Sequence, residues 1–170
     1  MKVAVLVENQ YQVLEVWYPF LRLREEGIDT VLVGTGKNTY LSKEGYPAQE
    51  TMSVKKAKAK DFEGVIIPGG YAPDYLRQHA EINNFVKNIF ESGKLTAAIC
   101  HGGWVLVSAG ILKNKRVTSF MAIKDDMINA GAEYLDHEVV VDNNLITSRN
   151  PYDLPAFCRE IITFLKSVEK

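Results

Sequence analysis

The stretch around Cys100 contains the strongest chemical signal in the sequence. An apolar run ends at this cysteine, and the residues His-Gly-Gly and a helical apolar pattern follow at once. Small residues two positions before and two after it, Ala98 and Gly102, are what a sharp turn from a strand into a helix requires. Such an elbow exposes its central side chain and places it at a helix N-terminus, where free N–H groups and the helix dipole favour a thiolate. We therefore predict that Cys100 is a reactive nucleophile rather than a buried apolar residue.

Backbone donors near the cysteine could stabilise the charge that develops on a carbonyl oxygen under attack. Gly69 and Gly70 follow an apolar strand pattern, and glycine lets a substrate approach the backbone closely. Their N–H groups, together with that of His101, are predicted to form an oxyanion hole. The alternative for this Pro-Gly-Gly segment is an ordinary tight turn between a strand and a helix.

Two titratable side chains are candidates for moving a proton at this site. His101 follows Cys100 directly, but neighbouring residues on a helix point in different directions, so adjacency alone does not establish a Cys–His pair. Glu15 falls in the first turns of a helix predicted over residues 11–26. As an anion near Cys100 it would raise the pKa of the thiol, whereas a protonated Glu15 could donate a hydrogen bond to the thiolate. A solvated charge on the helix surface is the alternative for Glu15.

Length and composition predict one globular domain over residues 1–170. Hydrophobic residues make up 46% and charged residues 24% of the chain, and the net charge is −1. Because no overall basic field is present, we expect no nucleic-acid partner and no membrane partner. The lysine-rich run over 55–60 lacks interleaved aromatic residues and is interpreted as a solvated linker. The apolar run at the N-terminus is too short for a signal peptide, which favours a cytoplasmic protein.

The elements that must position these residues alternate between strands and helices. Val- and Ile-rich runs predict strands over 3–7, 29–34, 95–99, 116–119, 138–142 and 145–148, and a strand that runs into a turn over 64–70. Helical spacing predicts helices over 11–26, 82–91, 101–109, 125–129 and 153–168. This alternation is typical of an α/β fold with a mainly parallel sheet. Ligands bind beyond the carboxyl ends of such strands, so segments 8–12, 68–70 and 100–101 are expected to converge.

The second cysteine, Cys158, lies on the apolar stripe of the last predicted helix. We interpret it as a core residue. In a reducing cytosol we expect no disulfide between it and Cys100.

Four segments together resemble the PfpI family of intracellular cysteine peptidases and deglycases. They are residues 98–102 (AICHG), 65–70 (VIIPGG), 124–131 (KDDMINAG) and 148–154 (SRNPYDL). That family belongs to the superfamily of the parkinsonism-associated deglycase and is distantly similar to class I glutamine amidotransferase domains. The resemblance extends from Met1 to about Leu165.

The resemblance implies a flavodoxin-like three-layer sandwich whose nucleophile elbow carries Cys100. It implies that Glu15 matches the family's glutamate that hydrogen-bonds the cysteine, and that the histidine after the cysteine is completed by an acidic side chain from a neighbouring subunit. The matching residue is Asp74, where close relatives carry glutamate. A homo-oligomer, a dimer or an assembly of the hexamer-of-dimers type, is therefore expected. No metal and no organic cofactor is required.

Two residues depart from the family's pattern at the predicted substrate pocket. Gln12 stands where close relatives have an acid, and Phe120 stands where they often have tyrosine. Each change removes an ionisable or hydrogen-bonding group. We therefore expect substrate preference, proton transfer or both to differ from those of the archaeal peptidases.

Three functions use the same cysteine and are alternatives at this point. The first is a glyoxalase or deglycase acting on methylglyoxal, related dicarbonyls or their adducts. The second is an ATP-independent intracellular peptidase for small peptides, with His101 as base and Asp74 as its orienting acid. The third is a non-enzymatic oxidative-stress sensor or chaperone in which Cys100 is oxidised. A pocket too narrow for an extended peptide would favour the first.

Overall fold

A computed structural model describes residues 1–168 of the chain. The strands are β1 (Lys2–Leu6), β2 (Asp29–Gly34), β3 (Thr39–Leu41), β4 (Pro47–Gln49), β5 (Met52–Ser53), β6 (Gly64–Ile67), β7 (Leu95–Ile99), β8 (Arg116–Val117), β9 (Glu133–Tyr134), β10 (Val139–Asp142) and β11 (Leu145–Ser148). The helices are α1 (Val13–Glu25), α2 (Ala72–Leu76), α3 (Ala80–Glu91), α4 (Gly103–Ala109), α5 (Lys124–Asn129) and α6 (Leu154–Val168).

Seven strands form one sheet in the order β10-β11-β7-β6-β1-β2-β5. Neighbours from β11 to β5 run parallel, and β10 forms an antiparallel hairpin with β11. In the centre of the sheet, Val3 of β1 lies opposite Thr30 of β2 and Gly64 of β6. The mainly parallel α/β sheet is confirmed, and the strands over 29–34, 95–99 and 145–148 have the predicted bounds.

Helices on the two faces of the sheet give the flavodoxin-like three-layer sandwich. α1 packs against α6, whereas α3 packs against α4. The crossovers through α1 and α3 progress in opposite directions along the sheet, so right-handed connections place these two helices on opposite faces. Cys158 is buried in α6, as expected of a core residue. No helix within residues 1–168 has the length and apolar character needed to cross a membrane.

The structure differs from the sequence-based prediction in several short segments, including the region after residue 116 and the region between β2 and β6. The strand expected over 116–119 is limited to β8, which pairs with β9 in a separate two-stranded sheet. It ends early because the N–H of Thr118 donates to Oγ1 of Thr147, at 2.9 Å, rather than to a strand backbone. The hairpin of β3 and β4 is absent from the prediction, since strands of three residues are too short to show a clear alternation.

The ends of β7, β6 and β1 bring the predicted segments together. These strands are adjacent and parallel, and the strand order reverses between β6 and β1, where ligands bind in sheets of this kind. The segment after β1 contacts the segment after β6 through a hydrogen bond of 3.2 Å from the N–H of Gln12 to the carbonyl of Gly69. The segment after β7 lies beside them, because Gly69 packs directly against Cys100.

The turn from β7 into α4 depends on Gly102. It begins as a 3-10 turn over Cys100–Gly102, where the sequence predicts an α-helix from residue 101. A Cβ at Gly102 would lie 2.5 Å from the carbonyl oxygen of Ile67 and 3.1 Å from that of Pro68. Because both oxygens belong to the backbone that ends β6, neither can move aside as a flexible side chain can. The tight packing of two chain segments therefore requires a glycine here.

We expect Gly102→Ala to lower the free energy of unfolding by about 2 kcal/mol, because the added methyl group overpacks a rigid contact. Gly103→Ala is the matched control. Both glycines have a φ of −54°, but a Cβ at Gly103 would meet the flexible end of Met127, with Sδ at 2.7 Å. Urea unfolding of the two variants measures the difference. Equal losses in both would contradict the role of the Ile67 carbonyl.

Candidate active site

Cys100 lies in the elbow between β7 and α4 with a backbone φ of +61°. A left-handed φ is uncommon for a residue with a side chain and is found in strained turns at functional sites. The predicted nucleophile elbow is therefore present. The cysteine is free, but it is only 8% exposed. The expectation that the elbow exposes the side chain is wrong, because neighbouring segments enclose the thiol on the floor of a cavity.

Glu15 approaches Cys100 from the first turn of α1. Gln12 caps this helix, and its Oε1 accepts a hydrogen bond of 3.0 Å from the N–H of Glu15. The Glu15 side chain is 0% exposed, so the alternative of a solvated charge is wrong. Its Oε2 accepts a hydrogen bond of 2.7 Å from the N–H of Gly69. A Cβ on Gly69 would lie 2.6 Å from this oxygen and 2.7 Å from Cβ of Cys100, so only glycine fits between the two side chains.

Burial raises the pKa values of both Glu15 and Cys100. The pKa of Glu15 rises to about 7, opposed by the hydrogen bond from Gly69. The pKa of Cys100 rises to about 12 through burial and then through the charge of Glu15. The helix N-terminus was expected to favour a thiolate at Cys100. This expectation is wrong while Glu15 is ionised, because burial and the neighbouring carboxylate outweigh the backbone donors.

The pair of Glu15 and Cys100 carries at most one negative charge near neutral pH, since each ionised group penalises the other in a buried site. A thiolate can form when Glu15 keeps its proton. Oε1 of Glu15 is the atom placed to hold that proton, because it is buried and has no hydrogen-bond partner within the described residues. A neutral Glu15 can therefore donate a hydrogen bond to Cys100, with which its side chain interacts.

His101 contacts the cysteine as well. Its Nδ1 lies 3.4 Å from Sγ of Cys100. The imidazole stacks on Phe120 with ring centroids 5.0 Å apart and packs edge-on against Trp104 at 5.2 Å. Burial, and then the charge of Lys43, lowers the pKa of His101 below its usual value of 6.5. The imidazole is therefore mainly neutral at neutral pH and can accept a proton.

The backbone N–H groups of Gly70 and His101 act on the sulfur of Cys100 and oppose the rise in its pKa. Gly70 can occupy this place because it has a φ of +75°, and a Cβ there would lie 2.4 Å from the carbonyl oxygen of Gln10. Gly69 does not provide a third donor, because its N–H is donated to Glu15. Two of the three expected donors therefore act near the sulfur, and the oxyanion hole itself stays a prediction.

Cys100 opens into a cavity of about 330 Å³. The cavity is lined by Gln12, Lys43, Gly70, Tyr71, Cys100, His101, Phe120 and Pro151. The two predicted pocket residues, Gln12 and Phe120, are both among these, although Gln12 also serves as the cap of α1. The sequence analysis missed Lys43 and Pro151. Lys43 carries no motif signal and comes to the site only through the unpredicted hairpin of β3 and β4.

Asp74 is the one predicted site residue that lies apart from the others in this protomer. It is exposed on α2, and its backbone carbonyl accepts a hydrogen bond of 2.9 Å from Nε2 of Gln78. Within residues 1–168 its carboxylate makes no hydrogen bond to His101. A role toward His101 in a second copy of the chain stays a prediction.

Within residues 1–168, no group of three or more His, Cys, Asp or Glu side chains could hold a metal ion.

The chain is similar to known proteins over almost its full length. A sequence profile of the DJ-1/PfpI family matches residues 1–164. A deglycase from Pyrococcus horikoshii is 40% identical over 166 residues, which cover 98% of this chain and 100% of that protein. YraA of Bacillus subtilis, whose name classes it provisionally as a cysteine protease, is 40% identical over 167 residues, covering 97% of this chain and 98% of that protein.

A solved structure also matches the fold described above. It is a two-domain protein from Anabaena variabilis with DJ-1/ThiJ/PfpI-like and ferritin-like domains, and it superposes with a TM-score of 0.95 at 42% identity. The match covers 97% of this chain and 48% of that one, so this chain spans about half of the two-domain protein.

The raised pKa of Glu15 predicts a pH dependence of stability. Folding favours the neutral carboxyl, so its contribution is fully present below the unfolded pKa of 4.5 and is lost as the pH rises through about 7. Relative to Glu15→Gln, the free energy of unfolding of the wild type should fall by about 3 kcal/mol across this range. Urea unfolding of both proteins at about pH 4.5 and about pH 8 measures it. Parallel pH profiles would show that Glu15 keeps its ordinary pKa.

Proposed function

Because this chain belongs to the DJ-1/PfpI family, we propose that it is a cysteine-dependent enzyme that converts methylglyoxal and related dicarbonyls, or their adducts with amines and thiols, to hydroxy acids. The proposal rests mainly on the pairing of Cys100 with a buried Glu15 at the floor of a small cavity. A pocket of this size suits a small carbonyl compound better than an extended peptide.

The first step forms a bond between the Cys100 sulfur and the aldehyde carbon. The thiolate attacks, and the electrons of the carbonyl double bond move to its oxygen. The N–H groups of Gly70 and His101, which face the sulfur, stabilise the oxygen anion, and Glu15 donates the proton that neutralises it. An amine or thiol adduct first releases its amine or thiol to give the same dicarbonyl.

The second stage moves a hydrogen within the substrate. Neutral His101 removes the proton from the former aldehyde carbon and returns it to the neighbouring carbon through an enediol. The aldehyde carbon is thereby oxidised to a thioester and the ketone carbon is reduced to an alcohol, so no external oxidant or reductant is needed. Water then attacks the thioester, the carbon–sulfur bond breaks, and the hydroxy acid leaves.

Turnover of methylglyoxal to lactate tests this proposal. We expect Cys100→Ala to reduce lactate formation to the uncatalysed background, because the attacking sulfur is lost. Glu15→Gln should reduce kcat by about 100-fold, because the amide cannot transfer the proton. Cys158→Ala is the matched control and should retain activity, since Cys158 is buried in α6 away from the cavity. Full activity in Cys100→Ala would overturn the proposal.

If the protein turns over neither methylglyoxal nor short fluorogenic peptides, that result favours the sensor function instead. A peroxide titration followed by intact mass then decides, because oxidation of Cys100 to sulfenic or sulfinic acid adds oxygen to the protein. An unchanged mass would remove the sensor function as well.

Peptide hydrolysis is the second candidate function, supported by the contact of 3.4 Å between His101 and Cys100. It would require an acid to orient His101, and Asp74 of a neighbouring subunit is the candidate.

We expect Asp74→Asn to leave methylglyoxal turnover within about twofold of the wild type, because the proposed reaction uses a neutral imidazole. A loss of methylglyoxal turnover of tenfold or more would instead support the intersubunit relay. Such a loss is about the scale of one lost charge-assisted hydrogen bond. Sedimentation that shows only monomer at micromolar concentration would exclude that relay.

A further inference from the structure

Lys43 gives the Cys100 cavity a positive charge that the proposed reaction does not use. It is the one cationic residue among those that line this cavity. None of the ion pairs formed within residues 1–168 involves Lys43. Its ammonium group is therefore available to a negatively charged ligand in the cavity.

The backbone holds Lys43 in a defined place. Its N–H donates a hydrogen bond of 3.0 Å to the carbonyl of Tyr11, in the segment that follows β1. The preceding Ser42 is buried, and its Oγ accepts hydrogen bonds from the N–H groups of Glu44 at 3.1 Å and Tyr46 at 3.0 Å. The turn between β3 and β4 is thus tied both to itself and to the active-site loop. Such anchoring reduces the cost of ordering the residue when a ligand binds.

The charge of Lys43 reaches the reacting groups. It lowers the pKa of both Glu15 and His101, the directions expected of a nearby cation. The neighbouring carboxylate of Glu44 also acts on Glu15, whose pKa it raises, but Glu44 is not among the residues that line the cavity, and its Oε2 accepts a hydrogen bond of 3.3 Å from the N–H of Val13. The lining of the cavity therefore includes both the reactive cysteine and a lysine that can recognise an anion.

We propose that the substrate of the Cys100 site carries a carboxylate, which Lys43 binds while the reactive carbonyl lies over the sulfur. This inference rests on the proposed function and narrows its substrate class to 2-oxoaldehydes with a second, anionic end. A substrate with only the dicarbonyl group would leave the ammonium group without a partner. An ammonium–carboxylate contact in a partly enclosed cavity changes affinity by about tenfold or more.

A matched pair of substrates isolates the contribution of the carboxylate. The two compounds are 4,5-dioxopentanoate and its methyl ester, which share the same 2-oxoaldehyde group and differ in one negative charge. For the wild type we expect kcat/KM to be at least about tenfold higher for the acid, mainly through a lower KM. Higher ionic strength should reduce this preference, because salt screens a partly exposed ion pair.

Substitutions at Lys43 test whether this residue causes the preference. Lys43→Met should bring the two kcat/KM values to within about twofold, and Lys43→Arg should keep the preference. Lys56→Met is the matched control, since it removes the same charge from an exposed lysine that lines a different cavity. Any effect of Lys43 on the pKa of Glu15 or His101 changes the rates for both substrates equally and cancels in their ratio.

The outcomes separate this inference from the proposed function. Turnover of both compounds at similar rates by the wild type overturns the carboxylate inference and leaves the proposed function intact. An equal loss for both substrates in Lys43→Met also overturns it, because Lys43 would then act only on the titrating residues. If the wild type converts neither compound and no methylglyoxal, the proposed function and this inference fail together.

Discussion

The active site depends on one electrostatic constraint, which is that Glu15 and Cys100 are buried side by side and cannot both be negative. Each is shielded from water, and burial is the main cause of the rise in both pKa values. The pair therefore keeps at least one proton near neutral pH, and either partner can carry it. Gly69 makes this possible, because it donates to one oxygen of the carboxyl and leaves no side chain between the two groups. A single residue thus sets both the spacing and the hydrogen bonding of the pair.

The backbone around this pair is held in conformations that the neighbouring strands must support. Cys100 has a left-handed φ, which costs of the order of 1–3 kcal/mol for a residue with a side chain. Gly70 allows the segment after β6 to approach the segment after β1, and Gly102 allows the segment after β7 to approach the end of β6, within distances that exclude a methyl group. The parallel pairing of β1, β6 and β7 fixes the relative positions of these segments. The fold therefore supplies the free energy that keeps the elbow in place.

Sequence patterns predict the parts of this site that depend on local sterics. The buried parallel strands follow from Val- and Ile-rich runs, and the elbow follows from the small residues Ala98 and Gly102 around Cys100. The position of Glu15 required the family resemblance, because its distance from Cys100 along the chain gives no local signal. Lys43 was missed because the short hairpin that carries it has no pattern of its own. The prediction of an exposed thiolate at Cys100 was wrong, because the burial of a side chain depends on the assembled fold.

The same electrostatics distinguish between the two enzymatic functions. When the thiolate adds to an aldehyde, the negative charge moves from sulfur to oxygen, and the proposed reaction uses the N–H groups of Gly70 and His101 near the sulfur to stabilise it. Peptide hydrolysis also requires a protonated group to release the amine. Burial and Lys43 lower the pKa of His101, so its imidazole is mainly neutral at neutral pH and is available to accept a proton rather than to donate one. The proposed carbonyl chemistry thus needs His101 only to accept and return a proton, whereas the proposed peptide hydrolysis needs an imidazolium that Asp74 of a second copy would stabilise.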